Sequence, residues 1–387
     1  MGQAARRFIH EGCEKHRKND SSVAHGTKVG RGNLLRMNLA TNLLDTASNV
    51  MRSEAAQSTW VELAALDLIV VTAHRSPDGD AVGSVLALTH HLKEAGLNVE
   101  AVLPDRFPRN LAWLPGSDSI HFFEENPEAT GELLGRAELI WCLDFNGPGR
   151  TGSMEEALRT SPAKKWVVDH HQLPEDFADH LFSDPACGST CELVFDLIAS
   201  WRRLESLSQA SAICMYTGIM TDTGSFRFSS VSAHTHLVLS HLVGLGIDHA
   251  RIHEQTFDQR SLNQVQLEGH ALSDKLYTWM DFGVALIVLD LETLERFNYQ
   301  PGDTEGVVNR ALALEGIHVA IFAKESKGGL FKMSFRSTGD LSVRDIAAEH
   351  FEGGGHRNAA GGIYHGSTAL SLVSHIESQL LHWFPRP

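Results

Sequence analysis

Four short apolar runs between residues 66 and 224 each stop at a carboxylate or an imidazole. "LDLIVVTA" (66–73) leads into His74, with Asp78 and Asp80 on the loop that follows. "AELIWCLDF" (137–145) ends at Asp144, and "KKWVVDHH" (164–171) ends at Asp169, His170 and His171. "YTGIMTDTG" (216–224) reaches Asp222 and a turn. Between them, "AVGSVLALTHHLKEAG" (81–96) reads as a helix closed by Gly96, and "NVEAVLP" (98–104) as a further strand. "STCELVFDLIASW" (189–201) reads as a helix with Ser189 and Glu192 at capping-box spacing. This alternation predicts an α/β domain built on a parallel sheet with helices on both faces. Ligands gather at the carboxyl ends of the strands in such sheets, so the four endings are expected to converge on one edge.

One Asp after a strand is ordinary and more often caps a helix than binds anything. Several carboxylates on one sheet edge are different, because they repel one another and raise each other's pKa. Divalent cations remove that penalty. Carboxylate and imidazole without thiolate suit Mn²⁺ or a similarly hard ion better than a cysteine-rich zinc site. Two ions ~3.5–4 Å apart can clamp the attacking and leaving oxygens of a phosphoryl transfer, with one carboxylate bridging them. His74, Asp78, Asp80, Asp144, His170 and Asp222 are about the number of donors such a pair requires.

A polar, helical connector, "TFDQRSLNQVQLEGHALSDKLY" (256–277), precedes a second β-rich unit. That unit holds "GVALIVLD" (283–290), a helix near 305–315, then "IHVAIFAKES" (317–326) and "GLFKMSFRS" (329–337) joined by a "KGG" turn. A helix over 342–351 leads into the glycine-rich "EGGGHRNAAGG" (352–362). The first 36 residues are polar and basic without the apolar stretch of a secretory signal, and read as a disordered tail or a misplaced start ahead of Met37 or Met51.

A formal charge of −15 argues against a grip on long duplex DNA, whose affinity comes mostly from Lys and Arg. It leaves room for a short, multiply charged substrate whose charge is met by bound ions. The five cysteines (13, 142, 187, 191 and 214) form no paired zinc pattern and read as reduced thiols in a cytosol, hence a cytoplasmic chain. No window offers the ~20 apolar residues of a membrane span.

In this order, "HRSPDGDAVGS", "LDF…R", "VDHH" and "GIMTDTGSF" resemble the four motifs of the DHH phosphoesterase superfamily. "FEGGGHRNAAGG" resembles the signature of its associated DHHA1 domain. Length and the GGGH ending resemble the nanoRNase and pAp-phosphatase branch. The chain divides on this reading into a tail (1–54), a parallel-sheet DHH domain (55–250), a helical linker (251–279) and a smaller α/β DHHA1 domain (280–387). The resemblance implies hydrolysis of short oligoribonucleotides to nucleoside 5′-monophosphates, dephosphorylation of 3′-phosphoadenosine 5′-phosphate, or both. A hydroxide bridging two Mn²⁺ ions would be the nucleophile, with Mg²⁺ or Co²⁺ as alternatives. It implies His74 and Asp78 on one ion, Asp80, His170 and Asp222 on the other, and Asp144 between them. Asp169 would orient His170, and His171 would face the substrate phosphate. Arg336, His356 and the amides of Gly353, Gly354 and Gly355 would bind substrate from the second domain. Phe145 and Asn146 depart from the small hydroxyl residues that many relatives carry there. A homodimer would be in keeping with the family.

Other conspicuous residues have plainer readings. His90 and His91 fit surface or packed positions on a helix; His234, His236, His249 and His253 fit solvated ones. Arg106, Arg109 and Trp113 fit a structural loop, Glu192 a helix cap, and Arg150 a position within reach of phosphate. The rival activities are a linear or cyclic dinucleotide phosphodiesterase acting on pApA or c-di-AMP, and a pyrophosphatase or exopolyphosphatase. A RecJ-type nuclease acting on long chains is disfavoured by the acidic balance. A non-catalytic nucleotide sensor would have lost a metal ligand, and none of the six is missing.

Overall fold

The computed structural model describes residues 45–326, 328–366 and 368–384. Residues 1–44, most of the expected basic tail with Cys13, lie outside the described residues. The described end of the expected tail, from residue 45 on, is packed: Ala47 and Met51 are buried and lead into helix α1 (Glu54–Leu63).

The first sheet has six strands: β1 (Ile69–Thr72), β2 (Val99–Leu103), β3 (His121–Phe122), β4 (Leu139–Leu143), β5 (Lys164–Asp169) and β6 (His180–Ser183). All run parallel in the order β3-β2-β1-β4-β5-β6. Every side chain of β1 and β4 is buried, which accounts for their continuous apolar runs. The chain winds outward from β1 in both directions, so a crevice opens at the carboxyl ends of β1 and β4. Helices α2 (Gly79–Glu94), α3 (Pro127–Arg136), α4 (Glu155–Thr160), α5 (Thr190–Ser200), α6 (Gln209–Asp222) and α7 (Ala233–Gly244) complete this unit.

Asp222 departs from the strand-end expectation. "SAICMYTGIMTD" is helix, with Asp222 its last residue. Helix α6 reaches the sheet edge because glycines let it press against α2. A Cβ on Gly218 would stand 2.2 Å from Cys191 Sγ and 2.9 Å from Asp80 Oδ1. The acid therefore arrives beside the sheet edge from a helix rather than from a strand.

Helices α8 (His249–His253) and α9 (Leu262–Ser273) lead to the second sheet. Its strands are β7 (Leu276–Trp279), β8 (Val284–Leu289), β9 (Val319–Ser326), β10 (Leu330–Ser337), β11 (Gly354–His356) and β12 (Ala359–His365), in the order β11-β12-β10-β9-β8-β7. Only β8 and β9 pair in parallel. Two features differ from the sequence reading. Strand β7 falls inside the stretch read as linker and pairs with β8. The glycine-rich segment, to which the sequence assigned no element, is a hairpin of β11 and β12.

Alternate residues of the second sheet face two cores. Val284, Leu286, Val288, Ile321 and Phe335 pack on α12 (Val343–His350) and α13 (Ala369–Trp383). Ala285, Ile287, Leu289 and Phe322 pack with α9, α10 (Leu291–Arg296) and α11 (Val307–Leu312). Each such aliphatic side chain, once buried, contributes roughly 1.5–3 kcal/mol. Among the described residues no helix is long and apolar enough to cross a membrane.

Candidate metal centre

Three strand ends and one helix end deliver the donors. His74 follows β1, Asp144 follows β4, His170 and His171 follow β5, and Asp222 ends α6. Asp78 caps α2, its Oδ1 accepting from the Asp80 and Ala81 amides at 3.0 and 3.1 Å. Asp80 sits in the first turn of that helix and is 1% exposed. Asp144 is 2% exposed and adopts a left-handed backbone, φ 64°, which a non-glycine residue takes at a cost. Its own N–H donates to the Val168 carbonyl at 3.0 Å, holding the turn against β5.

Asp144 stands at the middle of the cluster. Its Oδ2 is 3.3 Å from His74 Nε2 and its Oδ1 is 3.4 Å from His170 Nε2. His170 Nε2 is also 3.4 Å from Asp222 Oδ2 and 3.9 Å from Asp80 Oδ2. Two donor sets follow, His74–Asp78–Asp144 and Asp80–Asp144–His170, with the atoms of each within 4.8 Å of one another. Asp144 belongs to both. The imidazoles are pre-oriented, since His74 Nδ1–H donates to the Arg75 carbonyl at 2.8 Å and His170 Nδ1–H to the Cys187 carbonyl at 3.2 Å. Each therefore turns Nε2 toward the carboxylates, the arrangement a metal-binding histidine requires.

The electrostatics describe acids crowded together without enough positive charge. Burial, then Asp144 and Asp222, push the Asp80 carboxyl well above its usual range. Burial also raises Asp222, with Asp78 and Asp144 adding to it against His170, to about 6. Burial works against charge on His74, but its bond to Asp144 and the charges of Asp78 and Asp144 outweigh that and lift it to about 9. His170 behaves likewise and rises. For Asp144, burial is outweighed by the bonds from His170 and His74, which hold it well below the carboxylate range. Protons on these histidines are standing where cations would relieve the same repulsion. Four carboxylates and two imidazoles with free Nε2 atoms suit two hard divalent ions.

The roof of the site comes from the second sheet. The His356 ring on β11 lies 4.9 Å from that of His171 and 5.1 Å from that of His170. Burial, then His170 and His171, pull its pKa down to about 4. Arg336, on β10, is half-buried, and that burial lowers its pKa against the favourable charges of Asp222 and Asp78. Arg344 Nη1 donates to Gln172 Oε1 at 2.5 Å, tying α12 to the loop after His171.

Three expectations change in detail. Asp169 does not orient His170; its Oδ1 accepts from His171 Nδ1–H at 2.7 Å, because the Cys187 carbonyl already occupies His170 Nδ1. The Gly353 amide donates to the Ala347 carbonyl at 3.0 Å and is not free for a phosphate. Gly353 and Gly355 are required by close packing, since their Cβ atoms would meet the Gly361 and Ala359 carbonyl oxygens at 2.0 and 2.5 Å. Phe145 turns into the core beside Phe177 rather than onto the rim. Asn146 instead ties the loops together through the Gln172 carbonyl at 2.8 Å.

Of the residues read plainly, His91 is packed between Trp60 and Trp201, and Arg106 pairs with Glu125. His234 is not solvated; it is buried between Asp196 and Thr46. Glu192 is buried through its side chain, and only its amide joins the Ser189 cap. Cys142, Cys187, Cys191 and Cys214 are free thiols. Sequence reasoning missed Thr190, whose hydroxyl donates to Asp144 Oδ1 at 2.9 Å and whose amide donates to Asp80 Oδ2 at 2.6 Å. The signal was the Ser-Thr pair at the start of α5. One hydroxyl suffices for a cap, so the second was spare.

Comparison with known proteins agrees with this geometry. Residues 68–219 match the model of the DHH family N-terminal domain, and residues 283–380 match that of the DHHA1 domain. The bifunctional oligoribonuclease and PAP phosphatase NrnA of Thermus thermophilus is 30% identical over 299 residues, covering 76% of this chain and 83% of that protein. NrnA of Bacillus subtilis is 25% identical over 316 residues, covering 81% of this chain and 94% of its own length. The crystal structure of an exopolyphosphatase-related protein from Bacteroides fragilis superposes with a TM-score of 0.82 at 36% identity, over 86% of this chain and 97% of that one. With both domain models matched in order and NrnA similar over three quarters of this chain, the chain belongs to the DHH phosphoesterase family, in the branch that pairs a DHH domain with DHHA1.

Proposed function

We propose that this chain hydrolyses very short RNAs to nucleoside 5′-monophosphates and dephosphorylates 3′-phosphoadenosine 5′-phosphate, at a centre that holds two divalent ions, Mn²⁺ by preference. One observation carries the reading: two donor sets from distant segments share Asp144. The substrate class rests on the likeness to NrnA. When bound, such ions make water acidic enough to attack phosphorus at neutral pH and offset phosphate charge.

The chain's own residues do the rest. His74 and Asp78 would hold one ion and Asp80, His170 and Asp222 the other, with Asp144 common to both sets. His171 donates its Nδ1–H to Asp169, which favours the imidazolium; in that form its Nε2–H can pass to the leaving oxygen, and the ring is left neutral with its proton on Nδ1. Arg336 and His356 hold the substrate phosphate from the second domain, and His356, lying over His171, helps exclude bulk water from the attack. The roof also limits how much nucleic acid can follow the terminal nucleotide, so short substrates are favoured. A homodimer belongs to this proposal as well.

The test is hydrolysis by protein stripped of metal and reloaded with Mn²⁺, with pAp, labelled di- to pentaribonucleotides, pApA and pyrophosphate side by side. Turnover of pAp and the short RNAs, lost on chelation, is expected. Turnover of pyrophosphate alone, or full activity after chelation, would sink the assignment.

A further inference from the structure

Helix α5 begins at Thr190, directly behind the carboxylates. Ser189 supplies its cap, the hydroxyl accepting from the Glu192 amide at 3.2 Å. The Thr190 hydroxyl is therefore not needed for capping. It is fully buried and donates to Asp144 Oδ1 at 2.9 Å. The Thr190 amide donates to Asp80 Oδ2 at 2.6 Å, and the Cys191 amide to Asp80 Oδ1 at 2.9 Å. Three residues earlier, the Cys187 carbonyl fixes His170. One short segment, 187–191, thus grips Asp80, Asp144 and His170, the members of one donor set. The other set is held elsewhere: His74 by the Arg75 carbonyl and Asp78 by amides of its own helix. The two sets share Asp144 and are also joined by the Asp80 amide on Asp78 Oδ1, whereas Thr190 touches only the Asp144 oxygen on the His170 side.

A hydroxyl donor on one carboxylate oxygen occupies a lone pair and stops the group rotating. With Oδ1 pinned, its remaining lone pair faces His170, and Oδ2 is left to face His74. We infer that Thr190 is a positioning residue that sets the divalent-ion affinity of the Asp80–Asp144–His170 set independently of the His74–Asp78 side. This rests on the two-ion reading above. Replacing the hydroxyl by a methyl keeps the volume but leaves Oδ1, the oxygen that faces His170, without its buried donor, while Oδ2 on the His74 side loses no partner.

The experiment is a Mn²⁺ titration of metal-free protein, followed by calorimetry and by the electron paramagnetic resonance signal of free Mn²⁺. In wild type two binding steps are expected. In Thr190→Val one step should weaken by roughly 10–100-fold, the range for losing an outer partner of a metal ligand, while the other stays within about threefold. Thr190→Ser, which restores the hydroxyl, should return both steps to wild-type values. If the valine variant does not fold, Thr190→Ala should give the same split. Two unchanged steps in Thr190→Val, or two steps weakened equally, would overturn the inference. A wild-type protein that binds a single ion would overturn the two-ion reading and this inference with it.

Discussion

Asp144→Asn is the substitution on which the proposed chemistry depends most directly. The amide matches the carboxylate in shape, so the Thr190 contact and the left-handed turn at φ 64° can survive. What changes is charge, and it changes for both donor sets at once. The carboxylate lies within 3.3 Å of His74 Nε2 and 3.4 Å of His170 Nε2. In the variant each ion site loses an anionic oxygen. Losing even an outer partner of a metal ligand costs ~10–100-fold in affinity, so each step should weaken by at least about 1.4–2.7 kcal/mol. At saturating metal the field that stabilises the transition state is also diminished. Loss of one pre-organised electrostatic group typically costs about 10²–10³ in kcat, or ~2.7–4 kcal/mol. The assay is single-turnover cleavage of a labelled diribonucleotide and of pAp, over a Mn²⁺ series long enough to separate weak binding from slow chemistry. A plateau rate within about threefold of wild type, far short of the expected hundredfold, would refute Asp144 as the bridging ligand.

Other outcomes test neighbouring parts of the structure. His171→Gln should lower kcat by ~10²–10³ with a smaller change in KM, and the loss should shrink on p-nitrophenyl nucleotide esters, whose leaving group needs no proton; equal losses on both substrates would assign His171 to binding. In metal-free protein, burial together with Asp78 and Asp144 raises Asp222 to about 6, so the stability it contributes at acid pH is lost between its ordinary 3.8 and about 6. His74, held at about 9 against burial by Asp144 and Asp78, contributes stability that is whole below 6.5 and fades as pH passes 9. The Tm of chelated protein should therefore fall from mildly acid to alkaline pH, and saturating Mn²⁺ should flatten the profile; a Tm that rises over that range would contradict the crowding of the acids. Gly218→Ala, which drives a Cβ to 2.2 Å from Cys191 Sγ, should cost about 1–3 kcal/mol of stability and loosen metal binding, read by thermal melts with and without Mn²⁺.

The donors were legible because acids and imidazoles at the ends of apolar runs are rare and a parallel sheet gathers them. That logic located His74, Asp144 and His170 for the right physical reason. It placed Asp222 beside them for the wrong one, since periodicity alone does not separate a buried helix from a buried strand in "SAICMYTGIMTD". The partners of Asp169 and His170 were not legible. They depend on which backbone carbonyl, here that of Cys187, arrives first at an imidazole nitrogen. Strands β7 and β11 escaped notice because one is only four residues, Leu-Tyr-Thr-Trp, at the end of a polar helical stretch, and the other is Gly-Gly-His, so neither is long enough to show an apolar period. The role of Gly353 was misjudged for a related reason, its amide being taken by the Ala347 carbonyl. Glycine marks a close approach, and the sequence does not say whether the visitor is a phosphate or the chain's own carbonyl.

The order of the donors along the chain has a bearing on synthesis. A ribosome releases His74, Asp78 and Asp80 first, Asp144 and His170 later, Asp222 after a further helix, and His356 only near the end. A nascent polypeptide shorter than about 222 residues has an incomplete cation cage, and one shorter than 356 has no lid. A chain still being made therefore lacks the His356 ring that lies over His170 and His171 until its C-terminal part has been synthesised.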